Sequence, residues 1–167
     1  MAETTIRWAT ENDAALIAHY IRELAIYEKE PAENVKITEA EVRRDGFGAN
    51  RRFEVIIAEI DRKPMGFALF FPNYSTWEAQ QGLYIEDIFV EEAERKSGVG
   101  RQLIAAVAKI AKSRGCARID LSVLDWNPAR AFYKRLGFRH AEVWQTFRLT
   151  ASNLEALSTE AADFALK

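Results

Sequence analysis

The residues best suited to chemistry form a short basic and glycine-containing run, Arg95-Lys96-Ser97-Gly98-Val99-Gly100, set between an apolar stretch and an amphipathic one. A strand, a glycine turn and a helix N-terminus in that order make an anion site. The first helical N–H groups have no intrahelical partner, and the macrodipole adds about half a positive charge there. Gly98 and Gly100 carry no Cβ, so a phosphate can approach the backbone closely. A P-loop would need Lys-Ser/Thr after the final glycine, and Arg101-Gln102 stands there instead. A dinucleotide fingerprint would need a third glycine where Leu103 stands, and would normally follow the first strand. On glycine spacing alone, a tight turn without a ligand is the plain alternative.

The elements that would position this loop are legible on either side. Leu83 to Val90 is mostly apolar and reads as a strand buried on both faces. Val99, Leu103, Val107, Ile110 and Ala111 recur at helical spacing, with Arg101, Gln102, Lys109 and Lys112 largely opposite. Before them, Thr5 to Trp8 predicts a short strand. Thr10-Glu11-Asn12-Asp13 supplies caps for a helix to about Lys29, with Leu16, Tyr20, Leu24 and Tyr27 as its apolar stripe. Glu30 to Lys36 reads as a linker. Thr38 and Glu41 form a capping-box pair for a short second helix that Gly46 is placed to end. Phe53 to Ile60 and Gly66 to Phe71 predict a hairpin turning at Asp61-Arg62-Lys63-Pro64, followed by a loop, Tyr74-Ser75-Thr76-Trp77. Beyond the central helix, Ala117 to Leu124 alternates as a strand. Asn127-Pro128 opens a helix through Leu136 with Gly137 at its end, Val143 to Leu149 is a last strand, and Thr150 to Lys167 a helical tail. The order β-α-α-β-β-β-α-β-α-β predicts an α/β (α+β) domain, a mixed sheet with helices on both faces, in one domain over residues 1–167.

Composition narrows the functional classes. The chain has 167 residues, 49% hydrophobic and 29% charged, which excludes a disordered chain. With 23 basic against 25 acidic residues it has no general affinity for polyanions, so no nucleic-acid partner is expected. Cys116 is the single cysteine, which fits a reducing compartment. The N-terminus has no apolar signal region and no apolar run approaches a membrane span, so a cytoplasmic protein is expected. His19 and His140 lie far apart and far from Cys116, so no metal-ligand spacing is present, and no Gly-x-Ser-x-Gly segment occurs.

With the neighbouring segments in view, Arg95 to Gly100 resembles the Arg/Gln-x-x-Gly-x-Gly/Ala loop of the GNAT acyltransferases. "DWNPARAFYKRLGF", from Asp125 to Phe138, is similar to that superfamily's Asn-…-Phe-Tyr-…-Gly-Phe segment. "IRELAIYEKE", "DGFG", "YSTW" and "YIEDIFV" resemble the diamine, polyamine and thialysine acetyltransferases within it. The resemblance spans Thr5 to about Leu149. It implies a mostly antiparallel GNAT-type sheet whose strands splay at a cleft for acetyl-CoA, used as acyl donor with no metal. It further implies pyrophosphate on the segment Arg95, Lys96, Ser97, Gly98, Val99, Gly100 and Arg101, backbone bonds to the pantetheine arm from Ile88, Phe89 and Val90, and a cofactor contact at Asn127. Tyr27, Glu28, Glu86, Asp120, Leu121 and Ser122 would face a small amine acceptor, with Glu142 as a further contact. A homodimer is implied by the same resemblance. Asn127 and Tyr133 stand one residue closer than in the family pattern, and Lys96 occupies a position often held by glycine.

The chemistry constrains the roles. A primary ammonium with a pKa of about 10.4 must lose a proton, at a cost of roughly 4–5 kcal/mol at pH 7. Glu86, ordinarily near a pKa of about 4.3, is either a cation anchor or, if desolvated or acting through water, a base. Asp87 falls on the opposite strand face, a place more often structural. Tyr133, with a pKa of about 10, can protonate a departing thiolate whose acid resembles cysteine at about 8.5; otherwise it is a core tyrosine after Phe132. Acetyl transfer to a polyamine, diamine or thialysine-like amine is therefore expected. Transfer to a protein or peptide amine, or an acyl-CoA-binding module without catalysis, are the alternatives.

Overall fold

The computed structural model describes residues 3–162 and 165. It falls into two compact units, Met1–Phe132 and Tyr133–Lys167. The first unit is built on a five-stranded sheet in the order β1-β2-β3-β4-β5, with β1 Thr4–Trp8, β2 Glu54–Ile60, β3 Lys63–Ser75, β4 Gln80–Val90 and β5 Ile119–Leu121. All pairs are antiparallel except β4 with β5, which is parallel. Asp61 and Arg62, at φ 50° and 62°, supply the left-handed turn that a tight hairpin between β2 and β3 needs.

Strand alternation sends side chains to two layers. Val55, Ile57, Phe67, Leu69 and Phe89 face α1 (Ala14–Tyr27) and α2 (Glu39–Val42), around buried Ala14, Ile17, Ala18, Tyr20 and Val42. Tyr20 anchors this layer, its ring centre 5.6 Å from Phe67 and 5.2 Å from Phe89. The buried stripe of α1 is thus centred on Ile17 and Tyr20, with Leu16 and Leu24 only partly covered. On the other layer α3 (Val99–Ser113) buries Val99, Leu103, Ile104, Val107 and Ala111. Arg7 ties β1 down through ion pairs to Asp13 at 2.8 Å and Glu59 at 2.7 Å.

Several sequence expectations are corrected. Gly46 does not end α2; the chain runs on through a π-helical turn, Arg43–Phe47. A Cβ at Gly46 would meet the Phe53 ring at 2.8 Å, so the glycine answers packing rather than helix termination. Tyr74 and Ser75 belong to β3 rather than to a loop, because the hairpin with β4 pairs as far as Ser75 and Gln80. The strand over Ala117 to Leu124 shrinks to three residues, since pairing with β4 stops at Ile85 and Leu121.

In the second unit, Gly137 at φ 96° follows the end of α4 (Ala129–Arg135), a helix that begins in the first unit. No strand forms over Val143 to Leu149. Strand backbone needs a neighbour's ladder, and among the described residues none is offered there; Val143 and Phe147 are 89% and 91% exposed. The tail helix is α5, Ala151–Ser158, and the expected tail's residues 163, 164, 166 and 167, like residues 1 and 2, lie outside the described residues.

Candidate active site

The site is organised by β4. Its pairing with β3 slips between Leu69/Asp87 and Phe70/Ile85, leaving Glu86 as the extra residue of a bulge. Its pairing with β5 ends at Ile85. From Glu86 onward β4 therefore has a β3 neighbour on one side and, among the described residues, no ladder on the other. That is the splay the resemblance implies, and Ile88, Phe89 and Val90 lie along it. The Phe89 side chain is buried against Tyr20.

The bulge re-aims two acids. Glu86 is exposed, while Asp87 is partly buried. Burial pushes the Asp87 carboxyl up from its ordinary 3.8 to about 7, and the charges of Glu86 and Glu28 add to the rise. Sequence reasoning placed Asp87 on a structural face because an unbroken strand alternates. The available signal was an aspartate beside a glutamate in an otherwise apolar strand. Glu28, at the end of α1, is itself raised by burial and then by Glu30. Glu28, Glu86 and Asp87 thus form one acidic group contributed by α1 and β4.

At the far end of β4 lies the glycine-containing loop. Gln102 N–H to Gly98 C=O, at 3.0 Å, is the first bond of the α3 ladder. The N–H groups of Gly98, Val99, Gly100 and Arg101 therefore precede the ladder and have no intrahelical partner. Lys96 and Gly98 adopt left-handed φ of 72° and 104°, conformations that occur in anion-binding loops, while the Ser97 N–H between them donates to the Glu94 carbonyl at 3.3 Å. A Cβ built on Gly98 meets nothing within 4 Å, so open space fronts this cradle. Ser97 Oγ donates to the Glu94 carbonyl at 2.6 Å.

Arg95 turns away from the cradle. Its Nε donates to the Val90 carbonyl at 3.1 Å, and its guanidinium lies 4.5 Å over the Tyr27 ring. It joins the loop to the acidic group's neighbourhood, a link not read from sequence. Likewise Lys29 Nζ sits 4.3 Å over the ring of Trp126, next to Asn127. Asn127 is 5% exposed, and its Oδ1 accepts the Ala129 N–H at 2.9 Å, which makes it the cap of α4 as expected. Its Nδ2 is the atom left for any cofactor contact.

On β5, Asp120 is held by Arg118 at 2.9 Å and Asn73 at 3.0 Å, and Ser122 shares a 2.6 Å hydrogen bond with Tyr84. Leu121 pairs with Ile85 where the two strands part. Tyr133 and Glu142 fall in the second unit. There Tyr133 is 8% exposed and edge-on to Phe138 at 5.6 Å, while Glu142 is exposed.

A groove of about 600 Å³ elsewhere, lined by Ile6, Trp8, Ile56 and Ala106 among others, contains none of these residues. Among the described residues no group of three or more His, Cys, Asp or Glu could hold a metal ion, and no helix is long and apolar enough to cross a membrane.

Residues 14–138 match the family described as Acetyltransferase (GNAT) family. Thialysine N-epsilon-acetyltransferase of Sus scrofa is 41% identical over 170 residues, covering 95% of this chain and 99% of that protein. L-ornithine N5-acetyltransferase of Arabidopsis thaliana is 41% identical over 115 residues, 68% of this chain and 47% of that protein. An integron cassette protein from the mobile metagenome of V. cholerae shares the fold, with a TM-score of 0.77 at 24% identity over 95% of this chain and 98% of its own.

Proposed function

The chain belongs to the acetyltransferase (GNAT) family, and on that footing we propose that it acetylates a primary amine of a small molecule, a diamine, polyamine or thialysine-like amino acid, using acetyl-CoA. One observation carries the reading: β4 alone brings the acids at Glu86 and Asp87, the backbone edge at Ile88 to Val90 and the entrance to the phosphate cradle into one line. The names of the relatives, which concern thialysine and ornithine, support a small acceptor over a protein or peptide.

The residues fit the donor. Four N–H groups without intrahelical partners and the open space before Gly98 suit a pyrophosphate. Lys96 to Arg101 would hold it, and Ile88 to Val90 would bond the pantetheine arm. When bound, acetyl-CoA supplies the thioester whose acetyl group the amine attacks directly.

Glu28 and Glu86 attract the ammonium to the mouth. Asp87, close to half-ionised near pH 7, takes the proton at its carboxylate, a task for which an ordinary carboxylate is too weak a base. The reading of Glu86 thereby becomes anchor, and of Asp87, base. Tyr133 donates its phenolic proton on the leaving-thiol side; its place in the Phe-Tyr-…-Gly-Phe segment supports that role.

The family match runs from residue 14 to 138 and so crosses the boundary at residue 132, which supports a single acetyltransferase domain made of both units. A reducing, cytoplasmic setting agrees with the single cysteine. Mass spectrometry of a mixed amine panel incubated with acetyl-CoA tests the proposal. Mono-acetylated small diamines or diamino acids are expected, and acetylated peptides alone would overturn it.

A further inference from the structure

The peptide between Val90 and Glu91 decides where the Val90 carbonyl points. Its Glu91 N–H donates to the Met65 carbonyl at 2.8 Å, on the β3 side. The two ends of a trans peptide point opposite ways, so the Val90 carbonyl faces the side of β4 that has, among the described residues, no ladder. Arg95 Nε donates to it there at 3.1 Å, in a part-buried bond.

That bond sets the place of the guanidinium. Its centre lies 4.5 Å over the ring of Tyr27, the last residue of α1, and 5.7 Å over the ring of Phe89. A guanidinium is planar, so it donates in its plane while its face rests on a ring. One side chain thus ties the open edge of β4 to the end of α1. Tyr27 directly precedes Glu28, a member of the acidic group. A phosphate ligand has no need of this link, whereas a residue that sets the acceptor side does.

We infer that Arg95 is a positioning residue for the acceptor side: it holds the Tyr27 ring, and Glu28 with it, in a fixed place against the open edge of β4, and it is not a ligand of the pyrophosphate. This rests on the acetyltransferase reading above and divides the loop within it. The backbone of the loop serves the donor, and its first side chain serves the acceptor.

The test sets acceptor KM, with ornithine and putrescine as acceptors, against acetyl-CoA Kd from calorimetric titration. Arg95→Met keeps an aliphatic stem over the rings and removes the charge and the Nε donor. Its acceptor KM rises about tenfold, the scale of one cation–π contact or charge-assisted bond, while acetyl-CoA Kd stays within about twofold of wild type. Arg95→Lys keeps the charge without the planar fork and shows most of the same rise; it carries the comparison where Arg95→Met does not fold. In a Tyr27→Leu background Arg95→Met adds little, as for two residues that act as a unit. A weakened acetyl-CoA Kd with acceptor KM unchanged would make the guanidinium a phosphate ligand and overturn the inference. A lowered Tm with both constants unchanged, or full additivity with Tyr27→Leu, would leave Arg95 a residue of the fold alone and overturn it too. Acetylation of neither amine by wild type, with acetyl-CoA bound, removes the acetyltransferase reading and the inference with it.

Discussion

At the scale of single residues, Asp87 separates what alternation can tell from what it cannot. Its neighbour Glu86 was a candidate because the segment "YIEDIFV" resembles the diamine, polyamine and thialysine acetyltransferases. The desolvation of Asp87 was not legible, because the bulge that re-aims it arises from pairing with β3. An acid whose folded value lies above its unfolded value binds its proton more tightly in the folded chain. Its contribution to stability is complete below about pH 4 and disappears as pH rises through about 7. Asp87→Asn is therefore expected to melt like wild type at pH 4 and higher at pH 8, by up to about 4 kcal/mol for three units of pKa. The same variant loses the acidic limb near pH 7 from its kcat/KM profile and about 10²-fold or more in rate, while Glu86→Gln keeps the limb. Persistence of the limb in Asp87→Asn would return the base to Glu86. Tyr133→Phe keeps the ring against Phe138 and removes only the hydroxyl. Its kcat is expected to fall toward the low end of the 10²–10⁴-fold range of positioned acids, with Tm and acetyl-CoA affinity little changed. Wild-type turnover, measured where chemistry limits the rate, would make it a packing residue.

At the scale of elements, the loop before α3 was the best-read part of the chain. Its glycines, its place after a strand and the stripe beneath it all follow from local chemistry. Helix caps were equally legible: Thr38 with Glu41 forms the expected capping box, and Asn127 caps α4. Strand lengths were not, since β3 and β5 end where a neighbour's ladder ends. The loop's backbone gives three substitutions with different expected signs. Lys96 sits at φ 72°, so Lys96→Gly relieves about 1 kcal/mol of strain and raises Tm by roughly 2–4 °C. It also removes a charge beside the cradle, so acetyl-CoA affinity falls, most at low salt. Gly98→Ala does the opposite to stability, lowering it by about 1–2 kcal/mol at φ 104°, and sets a methyl in the open space of the cradle. Its acetyl-CoA Kd is expected to rise at least about tenfold, the equivalent of roughly 1.4 kcal/mol. Gly100→Ala controls for stability alone: its Cβ meets Phe132 at an ordinary 3.5 Å inside a helix, so the fold holds or gains slightly. Calorimetric titration with acetyl-CoA reads all three. Unchanged affinity in folded Gly98→Ala would remove the loop from the binding site.

At the scale of the whole molecule, a mixed sheet with helices on both faces follows from hydrophobic pattern and short connections, and the sequence conveyed that much; the strand order β1-β2-β3-β4-β5 was not read from it. The last strand shows the limit. Val143 to Leu149 has a strand's composition, yet Val143 and Phe147 stand 89% and 91% exposed with no ladder among the described residues. Composition says that a segment suits a sheet; only a second edge decides whether it joins one. Both outer strands of the five-stranded sheet, β1 and β5, are edges, and a segment of strand-like composition is the natural complement of an edge in a second copy. The homodimer implied by the family resemblance would supply that partner. Sedimentation velocity is expected to give twice the 19.0 kDa chain mass. Phe147→Glu should then raise the dimer dissociation constant by about 10³-fold. Burying a phenylalanine is worth about 2 kcal/mol, and a twofold interface counts it twice. The variant should keep its melting transition at high dilution, where wild type is monomeric as well. A wild-type sedimentation coefficient of a single chain at micromolar concentration, or a dimer indifferent to Phe147→Glu, would leave this segment without the role assigned to it.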